Sequence, residues 1–94
     1  MTKTLRKYLI ERDLPGVEGL SPDALKGAAA TSNAALAELG PKVQWVQSFL
    51  VKDKTFCIYL AEDEDVIREH ARISGFPATR ISEIAGAIDP TTAA

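Results

Sequence analysis

Four segments of the chain have the alternating pattern, or the aromatic and β-branched composition, that is typical of β-strands. They are 4–14, 42–51, 55–61 and 80–89. Pro15 and Gly16 follow the first segment and favour a turn. The three residues between the second and third segments are polar, and they predict a hairpin connection. The pattern therefore predicts four strands, two of which form a hairpin.

A segment with the periodicity of an amphipathic helix lies between the first strand and the second. Ser21 is suited to the N-cap, Pro22 to the first helical position, and Gly40 to the end of the helix. Residues that recur at spacings of three and four define its buried face, namely Leu25, Ala28, Ala29, Ser32, Leu36 and Leu39. Because many of these residues are small, we expect the helix to approach a sheet closely.

A second helical segment covers 62–75, and Asp63 is its predicted cap. The elements thus follow the order β-α-β-β-α-β, which is typical of the α+β ferredoxin-like sandwich with two helices on one face of an antiparallel sheet. We expect a single domain over 1–94. Both faces of the hairpin hold apolar residues, so we also expect the uncovered sheet face to pair with a second copy. This arrangement is a homodimer of the dimeric α/β-barrel type.

The hairpin register depends on where the turn is placed. With a two-residue turn at 53–54, Val51 pairs with Phe56. One face then carries Gln47, Phe49, Val51, Phe56, Ile58, Leu60 and, beyond them, Trp45. In this register Cys57 faces away from His70, so a catalytic Cys57–His70 pair is not expected, and Cys57 is interpreted as a small buried apolar residue.

Composition restricts the class of protein. The 94 residues are 46% apolar with a formal charge of −2, which argues against a nucleic-acid partner because such a partner normally requires a basic surface. Lysines and arginines are scattered, and we expect them to be solvated. No apolar run approaches the ~20 residues that a membrane span needs. The one cysteine, Cys57, forms no internal disulfide, which is typical of a reducing compartment. We therefore expect a cytoplasmic protein without a nucleic-acid or membrane partner.

His70 is the only histidine and the first candidate for a functional residue. At 100° per residue it shares a helix sector with Val66 and Ile73, so we expect it to point toward the sheet. A lone histidine on an apolar face is more often a core residue than a metal ligand. A metal site needs further donors from other elements. The candidates are Glu11, Gln47, Tyr59 and Cys57, and the spacing does not choose among them.

Three stretches resemble a domain-of-unknown-function family whose best-known type is a small nickel-responsive, nickel-binding protein. They are "IERDLPG", the run from "LGPKVQW" to "GFPATRI", and "IDPTTA". The resemblance implies a dimeric ferredoxin-like fold and binding of nickel or another divalent transition metal. It also implies that His70, in the "EHA" motif, is a metal ligand. Together with the candidate donors, this gives a predicted ligand set of His70, Glu11, Gln47 and Tyr59 in a homodimeric nickel-binding or nickel-responsive protein.

The same fold leaves a second hypothesis open. Dimeric α/β-barrel proteins include enzymes and small-molecule binders that have a pocket between sheet and helices. In such a protein His70 would be a general acid or base, and Gln47 or Tyr59 would orient the ligand. This hypothesis requires an apolar pocket with His70 in its wall. Fold analogy alone is a weak argument for it, since one fold hosts many functions.

Overall fold

The computed structural model of the protein describes residues 3–94. Its strands are β1 (Arg6–Asp13), β2 (Val43–Val51), β3 (Lys54–Ala61) and β4 (Arg80–Glu83), and its α-helices are α1 (Pro22–Leu39) and α2 (Glu64–Ser74). Short 3₁₀ helices lie at Val17–Gly19, Gly40–Lys42 and Pro90–Ala93. All strand pairs are antiparallel, in the order β2-β3-β1-β4. The predicted element order is confirmed, and this α+β fold is compatible with the ferredoxin-like class.

Neither α-helix of the described residues has the length and apolar character needed to cross a membrane.

The helices begin and end where the sequence predicts. Ser21 Oγ accepts a hydrogen bond from the amide of Ala24 at 3.1 Å, and Asp63 Oδ1 accepts one from the amide of Val66 at 3.0 Å. Each bond satisfies an amide that the first turn of a helix leaves without a partner. Gly75 ends α2 in the left-handed conformation, with φ 81°, which glycine adopts without steric cost.

The two faces of the sheet differ in how deeply their side chains are buried. On β3 the helix-covered face carries Thr55, Cys57, Tyr59 and Ala61, all of which are buried. The open face carries Phe56, Ile58 and Leu60, which are half-buried. The expectation that Cys57 faces away from His70 is wrong. The helix-covered face thus belongs to the core, while the bulky apolar side chains Phe56, Ile58 and Leu60 remain partly exposed on the open face.

The hairpin register differs from the predicted one by two residues. Val51 pairs with Lys54 rather than with Phe56, so the turn lies at 52–53. A shift of two residues keeps each side chain on its face. A bulge between Trp45 and Gln47 then adds one residue to β2. It moves Trp45 from the predicted face to the helix-covered face, because an inserted residue reverses the alternation.

The last strand is shorter than predicted. It ends at Glu83, although the amide of Ile84 still donates a hydrogen bond to the carbonyl of Lys7 at 2.8 Å. Beyond it, Pro90–Ala93 form a short 3₁₀ helix capped by Asp89, whose Oδ1 accepts from the amide of Thr91 at 2.8 Å. Its side chains are exposed, and Ile88 is 87% exposed.

Hydrogen bonds of Asp53 connect the loop after β1 to the hairpin turn. It adopts the left-handed conformation, with φ 61°, which aspartate and asparagine tolerate better than most residues. Its Oδ1 accepts from the amide of Gly16 at 2.9 Å, and its amide donates to Glu18 Oε1 at 3.1 Å. Its carbonyl accepts from the amide of Leu14 at 2.9 Å. These bonds hold residues 14–18 against the end of the sheet.

We expect Asp53→Ala to lower the free energy of unfolding by about 1–2 kcal/mol, since alanine loses the side-chain bond to Gly16 and is strained at positive φ. Asp53→Asn is the matched control, because it keeps an acceptor oxygen and tolerates the same conformation. Urea unfolding of the three proteins at pH 7 measures the difference. If both variants lose the same free energy of unfolding, the side-chain bond and the positive φ of Asp53 do not stabilise the protein.

Candidate functional site

His70 lies in the core and points toward the sheet, as its helical position predicts. Its side chain is 1% exposed. Nε2 is 3.2 Å from Ser32 Oγ on α1, at hydrogen-bond distance. The imidazole also meets the ring of Tyr59 edge-on, with ring centroids 5.3 Å apart and an interplanar angle of 61°. Ser32 Oγ lies 3.5 Å from the Tyr59 hydroxyl, so the three side chains form one polar cluster between α1, α2 and β3.

The surroundings of His70 favour its neutral form. Burial lowers the pKa of His70, the positive charge of Arg12 lowers it further, and contact with Ser32 opposes these effects more weakly. Nδ1 has no hydrogen-bond partner among residues 3–94. A catalytic histidine normally donates this second N–H to an orienting acceptor. The Ser32–His70 bond is therefore better suited to holding Tyr59 in place than to activating a nucleophile.

Arg12 is a buried charge that the sequence interpretation missed. It is 2% exposed, and Nη1 donates to the carbonyls of Phe76 and Pro77 at 3.3 and 2.9 Å. The guanidinium carbon lies 5.8 Å from the centroid of the Tyr59 ring, a cation–π distance. Nη2 has no hydrogen-bond partner in the part of the chain that the structure describes. An unpaired buried charge costs several kcal/mol of desolvation.

The period of β1 is the signal that predicts this burial. Tyr8 and Ile10 are core residues, and Arg12 continues their face at spacing two. The expectation that the arginines are solvated is wrong for Arg12. Alternation outweighs residue type here, because the strand cannot turn one side chain outward without a bulge.

A cavity of about 440 Å³ lies between α1, residues 14–20 and the helix-covered face of the sheet. Its wall is mostly apolar, and Arg12, Ser32, Thr55 and Tyr59 are among its polar members. His70 is not among the lining residues, because Ser32 and Tyr59 lie in the wall and His70 bonds to Ser32 behind it. The enzyme hypothesis required His70 in the wall, so this geometry does not favour it.

The four predicted metal ligands fall on two sides of the sheet. Tyr59 lies with His70 beneath the helices. Glu11 pairs with Phe56 and Gln47 with Ile58, so both lie on the open face. Glu11 Oε2 is 3.6 Å from Lys54 Nζ, an ion pair on that face. Within one chain the sheet thus separates the predicted ligands into two pairs.

The buried cluster does not suit a metal cation. Among residues 3–94 there is no group of three His, Cys, Asp or Glu residues placed to hold an ion. Burial raises the pKa of Tyr59, so its phenol stays protonated at neutral pH. The charge of Arg12 would repel a cation at this position. The cluster offers one imidazole and two hydroxyls, with a positive charge nearby.

Comparison with known proteins identifies the family. The model of a family described as nickel responsive protein SCO4226-like matches residues 8–84, so the chain belongs to this family. The crystal structure of SCO4226 from Streptomyces coelicolor A3(2) has the same fold, with a TM-score of 0.71 at 15% identity. The match covers 87% of this chain and 99% of that one. Among curated proteins, none matches the sequence.

The lowered pKa of His70 predicts a pH-dependent stability. Above about pH 6.5 the histidine is neutral in both the folded and unfolded states, and it adds no pH dependence. As the pH falls below 6.5, the unfolded chain takes up a proton that the folded chain resists, so stability is lost by up to about 1.4 kcal/mol per pH unit. The loss continues until the pH reaches the lowered folded pKa.

We expect His70→Phe to remove this slope between pH 7 and 5, because phenylalanine fills the same space and does not titrate. Urea unfolding at pH 7, 6 and 5 compares the two proteins. The carboxylates with lowered pKa values, Asp63, Glu69 and Asp89, act at lower pH and are common to both. If the free energy of unfolding depends on pH in the same way in wild type and variant, His70 is not the group that causes the loss of stability.

Proposed function

We propose that this member of the nickel-responsive family is a homodimer that binds nickel or another divalent transition metal as part of a response to that metal. Membership of the family, over most of the chain, is the observation on which the proposal rests. We further place the protein in the cytoplasm, since the thiol of Cys57 is free and buried and free thiols persist in reducing compartments.

The open sheet face supports the homodimer. Phe49 is 48% exposed and Val51 40% exposed. Phe56, Ile58 and Leu60 lie half-buried beside them, so β2 and β3 present an apolar patch, which the polar residues Glu11, Gln47 and Lys54 border on the same face. Apolar surface of this kind marks an interaction site. Most homodimers are two-fold symmetric and self-complementary, and an apolar sheet face meets that requirement by packing on its own copy.

The metal, in this proposal, binds outside the buried His70 cluster. Glu11 and Gln47 remain predicted ligands, and their position on the open face means that a second copy would bring further donors toward them. Carboxylate oxygen is a ligand for divalent cations, and at this surface water and a partner chain can complete the coordination. An ion at Glu11 has to compete with Lys54, whose ion pair is exposed and therefore weak.

We expect the protein to have a solution mass of about twice the 10.1 kDa of one chain, measured by light scattering after size-exclusion chromatography. Phe49→Asp should give a monomer, because the pairing of two sheet faces would bury an unpaired carboxylate. Ile88→Asp is the control, since Ile88 is also exposed but lies in the C-terminal tail. A monomeric wild type, or a dimer that survives Phe49→Asp, would contradict the proposed interface.

We expect isothermal titration of the chelator-treated protein with nickel chloride to show binding. Glu11→Gln should weaken it at least tenfold, because the amide lacks the charge of the carboxylate. His70→Phe should bind within a factor of two of wild type, since the imidazole lies behind a buried positive charge. A titration of wild type without binding would refute the metal function. If only the folded His70→Phe protein loses nickel affinity, His70 is a ligand and Glu11 is not.

A further inference from the structure

The positive charge of Arg12 is not neutralised within the described chain. Its bonded partners are the carbonyls of Phe76 and Pro77 and the face of the Tyr59 ring. These groups are dipoles and carry no negative charge. No carboxylate of residues 3–94 lies within ion-pair distance of it, although six other ion pairs are formed. A buried guanidinium without a counterion is a site that an anion would stabilise.

The cavity beside Arg12 has room for such an anion. Its volume of about 440 Å³ lies within the range of small-molecule sites, ~300–1,000 Å³. Arg12 is the one charged residue among those that line it. Most of the remaining wall is apolar, with Val17 from the loop, Leu25 and Ala28 from α1, and Trp45 from β2. Leu20 and Leu50, which are 42% and 43% exposed, form its solvent-facing part.

We propose that this cavity binds an organic monocarboxylate with an apolar body, whose carboxylate is held by Arg12 and whose body lies against the wall of α1 and β2. One guanidinium matches one negative charge. A phosphate, with a charge near −2, is normally bound by several cationic or amide donors, and Arg12 is the one cationic side chain in the cavity wall. The hydroxyls of Ser32 and Tyr59 are further donors in the wall.

Nη2 of Arg12 is covered by protein atoms in this structure. Binding therefore includes a small shift of the guanidinium or of the side chains over it. Nη1 is tethered to two carbonyls, so we expect Nη2 to be the nitrogen that meets the carboxylate. The site is separate from the proposed metal function, because the ligand lies beneath the helices and the predicted ligands Glu11 and Gln47 lie on the opposite face.

The test uses octanoate as the carboxylate and octanamide as its neutral counterpart. Titrations followed by ¹H–¹⁵N NMR give both the affinity and the position of the ligand. We expect octanoate to bind at least tenfold more tightly than octanamide, with shift changes at the cavity. In Arg12→Met, octanoate should lose at least tenfold in affinity while octanamide is unaffected. Equal affinities in wild type, no binding of octanoate, or shift changes confined to the open sheet face would each overturn the proposal.

A second pair of variants leaves Arg12 in place, in case its replacement prevents folding. Ala28→Phe fills the cavity from the α1 side and should abolish octanoate binding. Ala30→Phe adds the same side chain on the exposed side of α1 and should bind octanoate as wild type does. The NMR spectrum of each variant shows whether it is folded. Unchanged octanoate binding by a folded Ala28→Phe protein would overturn the proposal.

Discussion

The strict alternation of side chains along the paired central strands β1 and β3 is the constraint on which the other features depend. It assigns Ile10, Cys57 and Ala61 to the helix-covered face, where they form part of the core beneath α1 and α2. The same alternation leaves bulky residues such as Ile58 on the opposite face. It also carries Arg12 beneath the helices. The apolar open face and the buried charge therefore arise from one pattern, and neither can change face without a bulge.

Burial of Arg12 accounts for much of the polar chemistry in the core. The ring of Tyr59 contacts both the guanidinium of Arg12, at a cation–π distance, and the imidazole of His70, in a T-shaped arrangement. A positive charge and a low dielectric both disfavour imidazolium, so His70 remains neutral and bonds to Ser32. His70, which the sequence suggests as a metal ligand, is therefore a neutral core residue. Tyr59 and Ser32 lie between it and the cavity.

Most of the fold follows from local signals, whereas the site depends on which elements face one another. Ser21, Asp63 and Gly75 act at the helix ends through bonds within a few residues, so their roles are visible in sequence. The bulge that turns Trp45 inward has no such local signal, and the hairpin register depends on a turn that Asp53 closes through contacts with residues 14–18. The burial of Arg12 follows from the period of β1, but the general preference of arginine for the surface conceals it. The second hypothesis anticipates a pocket between sheet and helices, but its volume and lining could not be predicted, because they depend on how α1 and residues 14–20 pack on the sheet.

The separation of charge across the sheet favours different ligands on the two faces. A divalent ion and a guanidinium that are separated by about 10 Å repel each other by about 3 kcal/mol at an effective dielectric constant of 20. In water the same repulsion is less than about 1 kcal/mol. A cation near His70 would meet the larger repulsion, since both it and Arg12 would be buried. At the open face, solvent screens Arg12, and the carboxylates of Glu11 and Asp13 attract a cation. The same guanidinium attracts an anion within the cavity, where screening is weakest. The position of one arginine thus favours anions and disfavours cations beneath the helices, and it leaves the carboxylates of the open face free to attract a cation.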